Sequence, residues 1–106
     1  MKEQLIENRP KRRPTHPGAL LREDVLPEIG ISISDFARRI GVSRQVIHRI
    51  LAEDQGITPE MALRIGRFMG NGPGIWLRMQ QQCDLWHAQR EMEKELSKIV
   101  RFRVAS

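Results

Sequence analysis

The chain has 106 residues, a formal net charge of +5 at pH 7 and one cysteine. This length supports one small domain with a single core, and a single cysteine excludes an intramolecular disulfide. No apolar run approaches the roughly 20 residues that span a bilayer, and the polar N-terminus is unlike a signal peptide. We therefore expect a soluble protein of the reducing cytoplasm, with a positive charge that suits a polyanionic partner.

Residues 1–14 predict a flexible basic arm. The segment carries five basic and two acidic side chains, and Pro10 and Pro14 discourage a continuous helix. Such an arm can contact DNA phosphates, become ordered against a protein partner, or serve only as a solubilising tail. The sequence leaves these alternatives open.

Residues 15–90 predict an all-α domain of five helices. The first helix begins with Pro17 in its first turn, and its apolar residues keep helical spacing until Pro27. His16 precedes this helix and has no metal ligand or catalytic partner at a recognised spacing. We therefore expect His16 to cap or pack against the helix.

Residues 32–52 predict a helix-turn-helix. Ser32 and Ser43 are suitable N-caps for two short helices, and Gly41 between them suits the left-handed residue that ends a helix. Apolar residues at helical spacing would face inward, namely Ile33, Phe36, Ala37, Ile40, Val46, Ile47, Ile50 and Leu51. The outward positions of the second helix are Arg44, Gln45, His48 and Arg49.

The outward face of the second helix favours DNA binding. Four arginines and no acid lie between residues 36 and 52, whereas a merely solvated helical hairpin, the alternative, usually mixes charges of both signs. Arginine and glutamine are suited to bidentate contacts with guanine and adenine. We therefore expect base contacts from Arg44, Gln45, His48 and Arg49. Phosphate contacts are expected from Arg38, Arg39 and Ser43.

Two further helices follow the motif. Thr58 and Pro59 predict the start of the fourth helix, and Gly70 its end. The glycine-rich residues 70–74 do not follow a strand and lack a Gly-Lys-Ser/Thr ending, which excludes a nucleotide-binding loop. The fifth helix carries more large apolar side chains than one side of a small domain can bury. We expect it to contribute to the core and to a dimer seam formed by Trp76, Met79 and Trp86.

Cys83 and His87 lie four residues apart on the fifth helix and could supply two metal ligands. A structural zinc site needs four ligands and a catalytic site at least three, and the chain contains no second cluster. We therefore expect no metal and no other cofactor. An enzyme is not expected either, because the sequence shows no set of nucleophile, base and orienting group.

Residues 91–106 predict a highly charged helix end and a C-terminal tail. Val100, Phe102 and Val104 alternate with Arg101 and Arg103, which is the period-two pattern of a short strand. A lone strand is unstable. It must pair with its dimer mate, add to a partner's sheet, or stay loose.

Four short motifs occur together between residues 13 and 86: RPTHPG at 13–18, GVSRQ at 41–45, ITPEMALRI at 57–65, and Trp76-Leu77 followed by Gln80. In this combination the chain resembles the HigA (VapI-like) antitoxins, a branch of the phage-repressor-type helix-turn-helix proteins. The resemblance implies a five-helix repressor domain that dimerises and binds a palindromic operator in its own operon. It also implies neutralisation of a HigB-type toxin, a RelE-like ribonuclease that cuts messenger RNA on the ribosome.

The resemblance also assigns roles to single residues. Arg44, Gln45 and Arg49 align with base-reading positions of the recognition helix, and Ser32 and Ser34 align with positions that donate to phosphate. A free-standing repressor of the same fold, without a toxin partner, is the alternative function.

The toxin would require its own docking surface. A ribonuclease that binds RNA presents a basic surface, and the acidic side chains that could face it are Glu23, Asp24 and Glu28, on and just after the first helix. We therefore expect the toxin to dock on the first helix, with the N-terminal arm as a flanking contact. Addition of the C-terminal strand to the toxin's sheet ranks second.

Overall fold

The computed structural model describes residues 12–104, and this part of the chain is all-α, as predicted. Expectations for residues 1–11, most of the basic arm, lie outside the described residues. The first helix, α1, joins α-helical Pro17–Leu20, π-helical Leu21–Val25 and α-helical Leu26–Ile29. The later helices are α2 (Ile33–Ile40), α3 (Arg44–Leu51), α4 (Pro59–Met69), α5 (Gly74–Glu91) and α6 (Glu93–Ser97).

The helix α1 continues through Pro27 to Ile29, so the expected end at Pro27 is wrong. Proline lacks an N–H, and its ring crowds the carbonyl group four residues back in an α-helix. Here a π-helical turn comes just before it, and the Leu26 N–H bonds to the Leu21 carbonyl five residues back. This wider turn accommodates Pro27, and the helix ends at Gly30 in the left-handed conformation.

Local start and stop signals set the bounds of the next three helices. Ser32, Ser43 and Thr58 each accept, through the side-chain oxygen, the backbone N–H three residues later. Gly41 and Gly70 end α2 and α4 with φ of 78° and 81°, which glycine adopts without strain. The predicted boundaries of α2, α3 and α4 are confirmed.

The core is formed by α1 to α4 together with the first half of α5. Its largest fully buried side chains include Leu21, Phe36, Ile47, Ile65 and Trp76. Only 2% of Trp76 is exposed, and its Nε1 donates to Asn71 Oδ1 at 3.1 Å. The core of one chain therefore encloses the Trp76 ring, as part of the expectation for the fifth helix, and a contribution of Trp76 to a dimer seam stays a prediction.

The described chain leaves the core beyond Cys83, the last buried residue of α5. The predicted charged helix end is separated from α5 by a break at Met92, and the short helix that follows, α6, contains no buried residue. The described residues span 59 × 25 × 21 Å, so the molecule is elongated. None of the helices within residues 12–104 has the length and apolar character that a membrane crossing requires.

Residues 100–104 form no strand in the described chain. Val100, Phe102 and Val104 are all exposed. The segment is loose in this single chain, which is one of the three expected alternatives, because an isolated extended segment has no neighbouring strand with which to form backbone hydrogen bonds. Strand pairing with a second chain stays a prediction.

Candidate nucleic-acid interface

The first turn of α2 presents hydrogen-bond donors to solvent. Ser32 is exposed, and its Oγ accepts the Asp35 N–H at 3.0 Å, which leaves the hydroxyl proton available for donation. Ser34 is exposed in the same turn. Because the first N–H groups of a helix have no intrahelical acceptor, this end of α2 can donate to a phosphate group.

Arg38 and Arg39 are both bound by a carboxylate that the sequence interpretation overlooked. Asp35 accepts from Arg38 Nη2 through Oδ1, and from Arg39 Nε at 3.0 Å through Oδ2. These pairs lie on the surface, where an ion pair contributes about 0–1 kcal/mol. Both arginines can therefore turn to a phosphate at small cost. An aspartate followed by arginines three and four residues later is the signal that could have shown this pairing.

The helix α3 presents an exposed basic face. Ser43 Oγ caps the helix by accepting a backbone N–H at 3.2 Å. The four predicted base-reading residues are all exposed: Arg44, Gln45, His48 and Arg49. Arg44 Nε donates to His48 Nε2 at 3.3 Å. Within residues 12–104, neither Arg44 nor Arg49 forms an ion pair, so both positive charges remain uncompensated on this face.

The opposite face of α3 packs against α1 at very short range. Ile47 and Ile50 are fully buried. A Cβ atom at Gly18 would overlap the Ile50 carbonyl oxygen, so glycine is the residue that allows the two backbones to approach. This contact seats α3 on the core and leaves its basic face directed outward.

Charged side chains fix the C-terminal end of α3, a role that the sequence interpretation missed. Arg22 Nη1 donates to the Leu51 carbonyl at 2.6 Å. Glu53 follows in the left-handed conformation with φ of 64°, and it binds Arg13 at 2.5 Å and Arg22 at 3.4 Å. Burial raises the pKa of Glu53, but the bonds from Arg13 and Arg22 outweigh this effect and hold the pKa below its ordinary value.

Arg64 connects α4 to the turn of the helix-turn-helix. Its Nη1 donates to the Ile40 carbonyl at 2.8 Å and to the Gly41 carbonyl at 3.3 Å. The last carbonyl groups of a helix lack intrahelical donors, so Arg64 satisfies the C-terminal end of α2. No local sequence pattern predicts this contact, because Arg64 and Ile40 lie 24 residues apart.

The acidic residues expected to face a toxin are exposed on α1. Glu23 binds Arg22 at 2.7 Å, and Asp24 and Glu28 are also exposed. Since Arg22 also reaches the Leu51 carbonyl, Glu23 lies near the C-terminal end of α3. The docking role of these three carboxylates stays a prediction.

The two other predicted seam residues, Met79 and Trp86, are half-buried on α5. The guanidinium of Arg90 lies 3.9 Å from the centroid of the Trp86 ring. The Trp86 indole Nε1 is buried and has no hydrogen-bond acceptor among residues 12–104. A seam at these positions stays a prediction.

Cys83 and His16 have packing roles in this structure. The buried Cys83 thiol donates to the Pro14 carbonyl at 3.3 Å, and burial raises its pKa. His16 is also buried and caps α1, since its Nδ1 accepts the Gly18 N–H at 2.9 Å, which confirms its expected role. No group of three metal-ligating side chains converges in the described part of the chain.

The segment that contains α2, α3 and α4 matches a known protein family. The helix-turn-helix family model matches residues 21–76, which is more than half of the chain. The chain belongs to the helix-turn-helix family. Virulence-associated protein I of Dichelobacter nodosus is 38% identical over 78 residues, which cover 74% of this chain and 72% of that protein.

Solved structures of helix-turn-helix proteins share the fold over most of the chain. Pseudomonas aeruginosa antitoxin HigA, in a structure with the higBA promoter, has 32% identity and a TM-score of 0.80, with 87% of this chain and 100% of that chain covered. Antitoxin GraA, in complex with its operator, has 36% identity and a TM-score of 0.79, with 89% and 95% covered. The predicted resemblance to HigA and VapI-like proteins is confirmed.

Proposed function

We propose that this chain is an antitoxin that represses its own operon. It would bind operator DNA as a dimer through α3 and neutralise a HigB-type, RelE-like toxin that cuts messenger RNA. The observation that carries the DNA-binding part is the exposed basic face of α3, whose two arginines have no carboxylate partner among the described residues. Relatives whose structures hold an antitoxin on promoter or operator DNA support the same function.

The two helices of the motif would divide the work of recognition. Base edges in the major groove would be read from α3, by Arg44, Gln45, His48 and Arg49. Phosphates would accept hydrogen bonds from the helix starts and from α2, that is from Ser32, Ser34, Arg38, Arg39 and Ser43. The pairing of Arg38 and Arg39 with Asp35 supports this division, because it holds both guanidinium groups beside the first turn of α2, where Ser32 and Ser34 are exposed.

Substitution of one residue from each set tests the proposal. We expect Arg44→Ala to weaken operator binding by roughly 1–3 kcal/mol and to relax the preference at one base pair. Arg39→Ala should weaken all sequences alike and lower the salt slope by about one unit. Fluorescence anisotropy against a panel of single-base-pair operator variants measures both effects, with Arg67→Ala, at an exposed position of α4, as the matched control. Intact specificity in Arg44→Ala and lost specificity in Arg39→Ala would reverse the two roles.

The dimer would be formed by α5 and the segment after it. Met79 and Trp86 are retained from the predicted seam, because both side chains are only half-buried on α5. Exposed apolar side chains continue the surface beyond Trp86, namely Leu85, Met92, Leu96 and Ile99. One recognition helix makes few contacts with DNA. A two-fold dimer places two recognition helices about 34 Å apart on one face of the DNA and so doubles these contacts.

The toxin would dock on the exposed carboxylates of α1, with the segment after α6 as the second candidate. The test is pull-down of the toxin-sized product encoded beside this gene. Glu23→Lys/Asp24→Lys should abolish capture, whereas Glu60→Lys on α4 and a chain lacking residues 99–106 should retain it. Loss only in the truncated chain would move the docking site to the C-terminal segment. No capture by the intact chain would leave a free-standing repressor.

Cys83 and His16, the buried side chains that could take part in catalysis, both have structural roles instead. The Cys83 thiol is buried with a raised pKa, and thiolate is the reactive form of cysteine. His16 is committed to capping α1. We therefore infer that the chain acts without catalysing a reaction.

A further inference from the structure

Two of the residues proposed to read bases bind each other. Arg44 and His48 lie one turn apart on α3, and Arg44 Nε donates to His48 Nε2 at 3.3 Å. Side chains four residues apart on a helix are neighbours, so this contact needs no other element to maintain it. Both side chains are exposed, and the contact is therefore present on the surface that would meet DNA.

The contact assigns a different role to each partner. His48 Nε2 can accept a hydrogen bond only when it carries no proton, so the imidazole proton resides on Nδ1. The Arg44 guanidinium has five N–H donors, and the bond to His48 uses the one on Nε. The four N–H groups on its two terminal nitrogens remain available. A pair of such donors matches O6 and N7 of guanine in the major groove.

We propose that His48 is a positioning residue for Arg44 rather than an independent reader of a base. By accepting the Nε–H, His48 holds the guanidinium with its terminal nitrogens directed away from α3 and toward a guanine. An unrestrained arginine loses considerable side-chain freedom on binding, and a side chain held in place beforehand loses less. This inference rests on the proposed function, because it requires α3 to enter the major groove.

A matched pair of substitutions separates positioning from base reading. His48→Gln keeps an acceptor oxygen within reach of Arg44 Nε, whereas His48→Leu keeps a side chain of similar bulk without an acceptor. Operator duplexes selected in vitro from a random library, with every single-base-pair variant, serve as probes for the full chain. Thermal melting of each variant verifies that it is folded, which the exposure of position 48 favours.

We expect Arg44→Ala to identify the base pair that Arg44 reads. His48→Leu should relax the preference at that same base pair by roughly threefold to tenfold, the effect of one hydrogen bond. His48→Gln should retain the preference. The double variant Arg44→Ala/His48→Leu should be no weaker than Arg44→Ala alone, because His48 then has nothing to position. Gln45→Ala, the control, should relax a different base pair and leave this one intact.

Several results would overturn the inference while leaving the proposed function in place. One such result is a His48→Leu variant whose preference is unchanged or is relaxed at a different base pair. Another is a double variant in which the losses of the two single variants multiply. A third is a His48→Gln variant that fails to retain the preference. If Arg44→Ala itself changed no base preference, the assignment of base reading in the proposed function would fail together with this inference.

Discussion

At the start of α1, the side chain of His16 is buried and accepts the Gly18 N–H through Nδ1 at 2.9 Å. Only the neutral imidazole can accept this bond. Burial, the largest cause, lowers the pKa of His16 from its ordinary value of 6.5. Glu53 and, more weakly, Asp84 oppose this shift, whereas Arg13 and His87 reinforce it, and the pKa stays below its ordinary value. The His16 imidazole therefore binds its second proton more readily in the unfolded chain than in the folded chain.

A dependence of stability on pH follows from this difference. The contribution of His16 is fully present above the unfolded pKa of 6.5 and is lost as pH falls below it through the lowered folded pKa. We expect the melting temperature to fall between pH 7.5 and pH 5.5 in the wild type. His16→Asn should reduce this fall, because asparagine accepts the same bond as an N-cap and does not titrate.

The control is His48→Asn, at an exposed histidine on α3 that is not among the groups acting on His16, and this variant should retain the wild-type dependence on pH. Glu53 does not interfere in this range, since its pKa lies below the ordinary value of 4.5 and its contribution is lost only at lower pH. Equal slopes for wild type and His16→Asn would contradict the prediction.

Among the elements, the helix-turn-helix depends on bonds from helices outside it. Arg64 of α4 donates to the carbonyl groups of Ile40 and Gly41 at the end of α2. Loss of a hydrogen bond from a charged donor costs about 1.5–3 kcal/mol when the acceptor is left unsatisfied, and less where water replaces the donor. We expect Arg64→Leu to lower the melting temperature by several degrees, since about 1 kcal/mol corresponds to roughly 4–8 °C in a domain of this size.

The matched control is Arg67→Leu, one turn later on the same helix, at an exposed position. Both variants remove one charge and one guanidinium from α4, so a difference between them reports the bonds to α2. Differential scanning fluorimetry at neutral pH provides the measurement. Equal melting temperatures for the two variants would show that the bonds of Arg64 contribute little.

The elements that the sequence predicted correctly are those whose causes are local. Ser32, Ser43 and Thr58 start helices through bonds three residues long, and Gly41 ends one through its own backbone conformation. The outward face of α3 was predictable for the same reason, because helical spacing alone separates the apolar residues from the exposed ones.

Features that depend on distant parts of the chain were not predictable. Arg22 and Arg64 reach carbonyl groups 29 and 24 residues away, and no spacing rule relates such positions. Gln80 of α5 is buried, and its Oε1 accepts the N–H of Ile57, which lies in the connection between α3 and α4, at 2.8 Å. The sequence predicts both a core role and a seam role for Trp76, because apolar character does not distinguish the core of one chain from an interface between two.

At the scale of the whole molecule, an apolar stripe that starts on α5 and continues past α6 is left uncovered. It consists of Leu85 on α5, Met92 between the helices, Leu96 on α6 and Ile99 just beyond α6. Leu85, Met92 and Ile99 recur every seven residues, and Leu96 lies between the last two. Their exposed fractions are 61%, 44%, 69% and 43%, respectively. The helix breaks at Met92 and α6 ends at Ser97, so the four side chains do not form one continuous heptad seam. Exposed apolar side chains grouped in this way are nevertheless typical of interaction surfaces. Three basic side chains lie beside three carboxylates in residues 90–98, so a second copy could approach without net repulsion between like charges.

We expect this stripe to determine the oligomeric state, and Leu85→Glu and Leu96→Glu should each convert a dimer to a monomer because they would bury an unpaired carboxylate in the seam. Leu63→Glu is the control, since Leu63 is 59% exposed on α4 outside the stripe. Sedimentation equilibrium of each variant at tens of micromolar, alone and with operator DNA, measures the association. The monomeric variants should also bind the operator more weakly, because the two recognition helices would then bind as separate molecules. A wild-type chain that is monomeric both alone and on DNA, or a dimer that survives both substitutions, would contradict this interface.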